Sequence, residues 1–533
     1  MRTLIIVIAV TLASCVFAQH PSYDPRYHTV AEVIEEITAL ADTYSAYCHL
    51  ESLGHTGVDS ITIWGMRISD NPTADEDETC IEFHGGQHAD EPAGVEVCMW
   101  MINDLLHRID AGDSIAVKWW EDYEIWIIPQ MNCDGRIMCL DSGYTEWRKT
   151  KRDLDSSGTY DAYTDGVDPN RNWDYMWEDY TATDLDNTKG PYPFSEQCVI
   201  TMRDFFIRER PLYIVDYHSP DSCGGNKLWI CWWFSEGPYT GWGPDAQNNW
   251  REIRDDLAAA ILDETGEPYE GAASYHTKPK LQTWTYYELG SCSIVMEITN
   301  QCFWHGDTID TIAARVGRGS YYLMERAAER MLITHVVDSA TGEPITNAIV
   351  EVVELQHDYF PPRVVDPVHG TNRRLLERGY YSLYVNSIGY FAKEIDSIYI
   401  PDDGPPVEIT VELARDLGVD EVEAPMGFEL AVSPNPFNDA VSIDIRGVGA
   451  TDRSQGQVGL KIFDINGRLV ADLPFGRAES GRNLEYSRNI GADSARLPTP
   501  LIWIPDKTVG SGVYLIEVST GTHSISKKVV YIR

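Results

Sequence analysis

Gly85-Gly86-Gln87-His88-Ala89-Asp90-Glu91-Pro92-Ala93-Gly94 follows the short run Cys80-Ile81-Glu82-Phe83-His84, whose alternation predicts a strand entering a turn. His88 and Glu91 stand three residues apart, a spacing that puts two side chains on one side of a tight turn or a first helical turn. An imidazole and a carboxylate so placed can share one Zn2+ ion, but a catalytic zinc site needs a third protein ligand and an open position. Alone, such a pair is a common accident of a solvated turn. The rest of the chain has to supply the third ligand.

Upstream, residues 29–44 carry apolar side chains at helical spacing (Val30, Val33, Ile34, Ile37, Leu40, Ala41), and Ile61-Thr62-Ile63-Trp64 is strand-like. Downstream, a helix is predicted over 94–108, and Glu124-Ile125-Trp126-Ile127-Ile128-Pro129 reads as a buried strand ending in a turn at 130–135. Helical and strand patterns alternate to about residue 329. That alternation predicts an α/β domain of about 300 residues, with a mixed central sheet and helices on both faces.

Three more clusters lie inside this block. Trp147-Arg148-Lys149-Thr150 is followed by Gly166-Val167-Asp168-Pro169-Asn170-Arg171-Asn172-Trp173. Tyr213-Ile214-Val215-Asp216-Tyr217-His218-Ser219 is an apolar strand delivering a histidine at its end. Ser293-Ile294-Val295-Met296-Glu297-Ile298 sets a carboxylate inside an apolar run, where an unpartnered charge is costly. Each has an ordinary explanation by itself: a surface arginine, a satisfied core histidine, a glutamate on the exposed face of a strand.

Together, in this order and spacing, the motifs resemble the zinc metallocarboxypeptidase family (the funnelin type) over about residues 25–330. His218 follows Glu91 by the family's separation. Gly190-Pro191-Tyr192-Pro193-Phe194-Ser195-Glu196 is a further landmark, and Tyr275 stands where the family's mobile tyrosine is expected relative to Glu297 and Trp284. The resemblance implies that His88, Glu91 and His218 hold one Zn2+ ion in the catalytic domain and that Glu297 is the general base. It implies that Arg148 stabilises the developing oxyanion and that Asn170 and Arg171 clamp the terminal carboxylate, for which the planar guanidinium fork is suited. Tyr275 would close over the bound residue, and Asp168 would orient a zinc-binding histidine.

Gln282, two residues before Trp284, falls at the base of the implied specificity pocket; being neutral, it suggests neutral or hydrophobic C-terminal residues. Asp90 and Pro220 depart from what several relatives carry beside the ligands. The expected function is hydrolysis of the C-terminal bond of peptides or proteins. The alternatives are a zinc amidase acting on cell-wall peptides and a catalytically silent surface-binding protein. A silent binder would have no need of Glu297 and Arg148.

From residue 331 the pattern changes to short strands, which predicts an all-β sandwich over 331–415 resembling the transthyretin-like domain of many metallocarboxypeptidases. An acidic linker, 416–427, precedes a second predicted β-sandwich over 428–533. Its Ser433-Pro434-Asn435-Pro436-Phe437-Asn438 and closing Lys527-Lys528-Val529-Val530-Tyr531-Ile532-Arg533 resemble a type IX secretion sorting domain, which implies secretion machinery as a partner.

The whole chain fits this reading. It has 533 residues, enough for several domains, and Asp+Glu outnumber Lys+Arg by 83 to 42 for a formal net charge of -41. That balance argues against nucleic acid or an anionic membrane as partner, because a polyanion would be repelled. Met1-Arg2-Thr3, an apolar run and small residues ending Val16-Phe17-Ala18 form a predicted signal peptide over 1–18. Leu12-Ala13-Ser14-Cys15 offers a competing lipoprotein reading with Cys15 acylated; plain cleavage is preferred. No later segment is apolar for long enough to span a membrane. The expected destination is secreted or at the cell surface, by way of the periplasm of a diderm bacterium. Among eleven cysteines, the close pairs Cys133/Cys139, Cys223/Cys231 and Cys292/Cys302 are candidate disulfides.

Overall fold

The computed structural model describes residues 24–416, apart from 143–146, 162, 183–184, 221–224, 235–240, 276–277, 302 and 358, together with strands lying between 429 and 531. At 141, 232–234, 246, 275 and most strand positions beyond 429 it describes the backbone alone. The predicted signal peptide, Cys15 and nearly all of the acidic linker lie outside the described residues.

Helix α1 (Val30–Thr43) starts at a capping box: the Thr29 hydroxyl accepts from the Glu32 N–H at 3.2 Å, and the Glu32 carboxylate accepts from the Thr29 N–H at 2.8 Å. Strands β1 (Cys48–His55), β2 (Thr62–Ile68) and β3 (Thr79–His84) follow, then helices α2 (Ala93–Asp110) and α3 (Ser114–Asp122), strand β4 (Tyr123–Ile128) and the single turn α4 (Cys133–Arg136). Helix α5 (Gln197–Glu209) leads into β5 (Tyr213–His218), β6 (Lys227–Phe234) and β7 (Gly241–Trp242). The block closes with α6 (Arg251–Ala260), β8 (Glu270–Tyr275), α7 (Leu281–Leu289), β9 (Cys292–Glu297), α8 (Thr308–Ser320) and α9 (Tyr322–Ala327).

All nine strands join one mixed sheet in the order β1-β2-β4-β3-β5-β9-β6-β7, with β8 on β6. The middle strands β4, β3, β5 and β9 are mutually parallel, and antiparallel pairs flank them on both sides. Every residue of those four strands is buried, which is why they read as nearly continuous apolar runs. Helices cover both faces. His84 and Trp126 pack on Phe206 and Phe205 of α5, while the Tyr217 hydroxyl donates to Ser320 Oγ of α8 at 2.7 Å beside Met101 of α2. The expected α/β domain with a mixed central sheet is therefore present.

Strands β10 (Met331–Asp338), β11 (Ile349–Val352), β12 (Thr371–Leu375), β13 (Gly379–Asn386), β14 (Lys393–Ile400) and β15 (Val407–Leu413) make two three-stranded sheets, β12-β10-β15 and β11-β13-β14. Their inward side chains, among them Val336, Val350, Leu383, Ile400 and Val411, form one apolar core. Arg374 grips buried Asp245 through two nitrogens at 2.9 and 3.0 Å, and Arg363 donates to the carbonyls of Tyr286 and Tyr287 at 2.8 Å near the C-terminal end of α7. A second compact unit begins at Leu417. Within it, β16 (Glu429–Ser433), β17 (Val441–Arg446), β18 (Val458–Asp464), β19 (Leu469–Pro474), β20 (Leu501–Trp503), β21 (Gly512–Thr520) and β22 (His523–Tyr531) form antiparallel sheets ordered β16-β17-β20 and β19-β18-β21-β22.

No candidate disulfide is formed among the described residues. Cys133 packs with Val30 and Ile137, whereas Cys139 belongs to a different cluster with Ala89, Leu140 and Trp147, so proximity in sequence is not proximity of sulfurs. Cys231 and Cys292 are thiols buried in the sheet core, where they serve as small apolar side chains. The residues matched with them, Cys223 and Cys302, lie outside the described residues.

Candidate active site

The site stands at the carboxyl ends of the parallel strands, where open α/β sheets present functional groups. His84 at the end of β3 is in register with Asp216 of β5, and His218 at the end of β5 is in register with Glu297 at the end of β9. Beyond His84 the chain reverses sharply. Gly86 takes a φ of 62°, a left-handed conformation that favours glycine, and a Cβ on Gly85 would lie 2.6 Å from the Gly94 carbonyl. A Cβ on Gly94 would in turn meet Tyr217 at 2.8 Å. These close approaches bring the 85–94 turn onto β5, and with it His88 and Glu91 onto His218.

Three donors converge there. His88 Nδ1 lies 2.9 Å from one Glu91 oxygen, His218 Nδ1 lies 2.8 Å from the other, and the two Nδ1 atoms are 2.9 Å apart. The outer nitrogens are held as well: His88 Nε2 is 3.1 Å from Asp168 Oδ1, and His218 Nε2 is 2.8 Å from Asp216 Oδ2. A carboxylate accepts, so each Nε2 carries the proton and each Nδ1 presents its lone pair inward. Asp168 is held well below the usual carboxylate range: burial opposes its charge, but Arg171, Arg148 and His88 outweigh it.

Arg148, Asp168 and Glu297 lie beside this triad. Arg148 donates to Glu91 Oε1 at 2.6 Å and approaches Asp168 at 3.6 Å. Burial works against its charge, yet Asp168, Glu91, Asp90 and Glu297 surround it and raise its pKa. Asn170 and Arg171 lie in a single turn opened by Pro169 and capped by Asp168. The Asn170 side-chain oxygen accepts from the Leu281 N–H at 2.9 Å, which seats the start of α7 over the pair. Arg171 donates to neutral acceptors, the Asn170 carbonyl at 2.7 Å and Asn187 Oδ1 at 2.6 Å. Gln282, 1% exposed, lies in the first turn of α7, and its Oε1 has no hydrogen-bond partner among the described residues. Tyr275 ends β8; its side chain lies outside the described residues.

The family model for zinc carboxypeptidases matches residues 33–314. The chain belongs to the zinc carboxypeptidase family. Among its relatives, a zinc carboxypeptidase of Saccharothrix mutabilis subsp. capreolus is 31% identical over 160 residues, 30% of this chain and 34% of that protein. Carboxypeptidase B of Astacus astacus is 25% identical over 261 residues, 47% of this chain and 77% of that protein. The chain thus spans about a third of the first relative and about three-quarters of the second. Carboxypeptidase A from Helicoverpa armigera superposes with a TM-score of 0.47 at 20% identity, covering 56% of this chain and 73% of that structure.

Zn2+ is the cofactor of this zinc carboxypeptidase family, and the donor set suits it: two imidazole nitrogens and one carboxylate are the ligands of a catalytic site with an open position. Bonds of about 2.0–2.1 Å in a tetrahedron need ligand atoms about 3.3 Å apart. The observed separations of 2.8–2.9 Å are a little shorter, so a slight opening of the triad seats the ion.

Sequence reasoning missed the support behind His218. Asp216 Oδ1 lies 3.1 Å from His84 Nε2, an ion contact without hydrogen-bond alignment, and His84 Nδ1 is 3.0 Å from both oxygens of Glu82. All three residues are fully buried. Burial disfavours charge on His84, but Glu82 and Asp216 outweigh it and raise its pKa to about 10. A signal was present: Glu82-x-His84 and Asp216-x-His218 put charged groups two apart in apolar strands, hence on one face. Asp90 is half-buried, and burial together with the adjacent Glu91 raises its carboxyl to about 6.

Proposed function

We propose that the chain is a secreted zinc carboxypeptidase that releases the C-terminal residue of peptides or proteins. One observation supports this reading: the Glu297 carboxylate, Arg148, and Arg171 with Asn170 stand around the His88–Glu91–His218 triad. Bound Zn2+ would supply a Lewis acid that polarises the scissile carbonyl and acidifies a water. Glu297 takes the proton from that water as its oxygen bonds to the carbonyl carbon, and delivers it to the leaving nitrogen as the C–N bond breaks. Arg148 donates to the carbonyl oxygen as negative charge grows on it. Asn170 and Arg171 hold the terminal carboxylate, so only the last peptide bond reaches the base. Asp168 and Asp216 keep the two imidazoles in the tautomer that leaves Nδ1 unprotonated. Tyr275 covers the bound residue.

The N-terminal leader and the 428–533 strands support export by a type IX route. The 331–415 sheets act as a transthyretin-like accessory domain, and Arg363 and Arg374 support that reading because they reach the α7 region. Hydrolysis of blocked dipeptides, as free acids and as C-terminal amides, with and without a chelator, tests the activity. The free acids alone should be cut, chelation should abolish cutting, and Glu297→Gln should lower kcat by about 10²–10⁴-fold. Full activity in Glu297→Gln, or equal cutting of amides, would refute the mechanism.

A further inference from the structure

The contact between Leu281 and Asn170 has a consequence for Lys280, the residue just before α7. It carries Lys280 to the place where Asn170 and Arg171 stand. The half-buried Lys280 ammonium donates to Ser274 Oγ on β8 at 3.3 Å. The charged groups acting on it are Arg171 and Lys278, which repel its charge, and Glu297, which favours it. No carboxylate is ion-paired with Lys280 among the described residues. Arg171 spends its hydrogen bonds on neutral oxygens and lies 3.8 Å from Asp168 Oδ2, a carboxylate it shares with Arg148.

Two cationic residues, Arg171 and Lys280, therefore flank the Asn170–Leu281 hydrogen bond. One terminal carboxylate neutralises one of them. A cation drawn out of water without a partner is costly, so a second anion has a favourable place to go. Gln282 Oε1, buried and without a partner among the described residues, belongs to an amide that can turn its NH2 toward the same anion.

We propose that Lys280 makes this site selective for chains ending in glutamate or aspartate, whose side-chain carboxylate pairs with its ammonium while Asn170 and Arg171 hold the terminal one. This rests on the carboxypeptidase reading above and sharpens it by naming the substrate class. It also departs from what Gln282 alone suggests, because the deciding charge sits two residues earlier.

Glutamate and glutamine are near-isosteric, so their comparison isolates the charge. Blocked dipeptides ending in Glu, Gln and Leu should show a Glu-over-Gln ratio in kcat/KM of about tenfold or more, the worth of a charge-assisted hydrogen bond over a neutral one. Lys280→Met should collapse that ratio to about one, and Lys280→Arg should preserve most of it. Burial first, then Arg171 and Lys278, depress the Lys280 pKa to about 8, so the ammonium is present below that pH and lost above it. The Glu preference in kcat/KM should accordingly fall as pH rises through about 8.

Calorimetric binding of free L-glutamate and L-glutamine to the zinc-loaded full chain reads the same pocket without turnover, with the same expected order. Equal or better handling of Gln by the wild type overturns the proposal. So does an equal loss for all three substrates in Lys280→Met, which would make Lys280 a second clamp on the terminal carboxylate. A chain that cuts none of the dipeptides but still prefers L-glutamate would overturn the carboxypeptidase reading and leave the Lys280 site standing.

Discussion

Asp216 sits between two imidazoles and faces both: His218 at 2.8 Å and His84 at 3.1 Å. Burial opposes its ionisation, but His218 and His84 hold its carboxyl well below the ordinary range. An amide in its place carries no charge and can turn a donor toward either imidazole, so the proton on His218 Nε2 is held by a weaker, neutral acceptor at best. Asp216→Asn should weaken zinc binding by about 10–100-fold, measured by competition with a chromogenic chelator. An unchanged affinity would mean that the strand backbone alone orients His218. At the same scale, His88 and Glu91 were legible because their spacing is local, and Gly86 was legible as a turn. Glu82 and His84 were in view as letters, but their value depends on which strand lies beside β3.

At the scale of elements, the turn after β3 is held where helix and strand nearly touch. α2 starts at Ala93, and Gly94 in its first turn leaves no room for a methyl group against Tyr217. Gly94→Ala should push α2 off β5 and cost about 1–3 kcal/mol of stability by denaturant unfolding. Because the same turn carries His88 and Glu91, zinc affinity should fall with it. A variant of wild-type stability and affinity would show that the turn has slack. The periodicities predicting α1, α2, β4, β5 and β9 were sufficient for those elements, since amphipathic or fully apolar runs have few other ways to bury themselves. Cysteine spacing was a poor guide, because Cys133 and Cys139 enter different apolar clusters despite lying six residues apart.

Across the larger unit, the two three-stranded sheets are anchored by buried charge. Asp245 accepts from both Arg374 and the Tyr286 hydroxyl, the latter at 2.7 Å, and so joins β12 to α7. Removing the arginine strands a carboxylate that is 2% exposed. Arg374→Ala should therefore destabilise the protein by about 3–5 kcal/mol in denaturant or thermal unfolding. A loss of only a few tenths would mean that water or a shifted side chain takes over. Since Lys280 immediately precedes α7 and Gln282 lies in its first turn, the variant should lose substrate discrimination before it loses the triad.

What the sequence determined by itself was the set of local facts: the alternation of helix and strand, the HxxE turn, the histidine and glutamate at strand ends, and the family. These are properties of neighbours along the chain, where sterics and periodic burial act directly. The strand order β4-β3-β5-β9 was decided only by the tertiary structure, since it depends on how distant apolar faces pack. That order set His84 against Asp216 and His218 against Glu297. The Leu281–Asn170 hydrogen bond, closing a separation of 111 residues, brought Lys280 beside Arg171. A charge in a sequence has no environment until the fold assigns its neighbours, and those neighbours turn a lysine before a helix into a candidate reader of the substrate's last side chain.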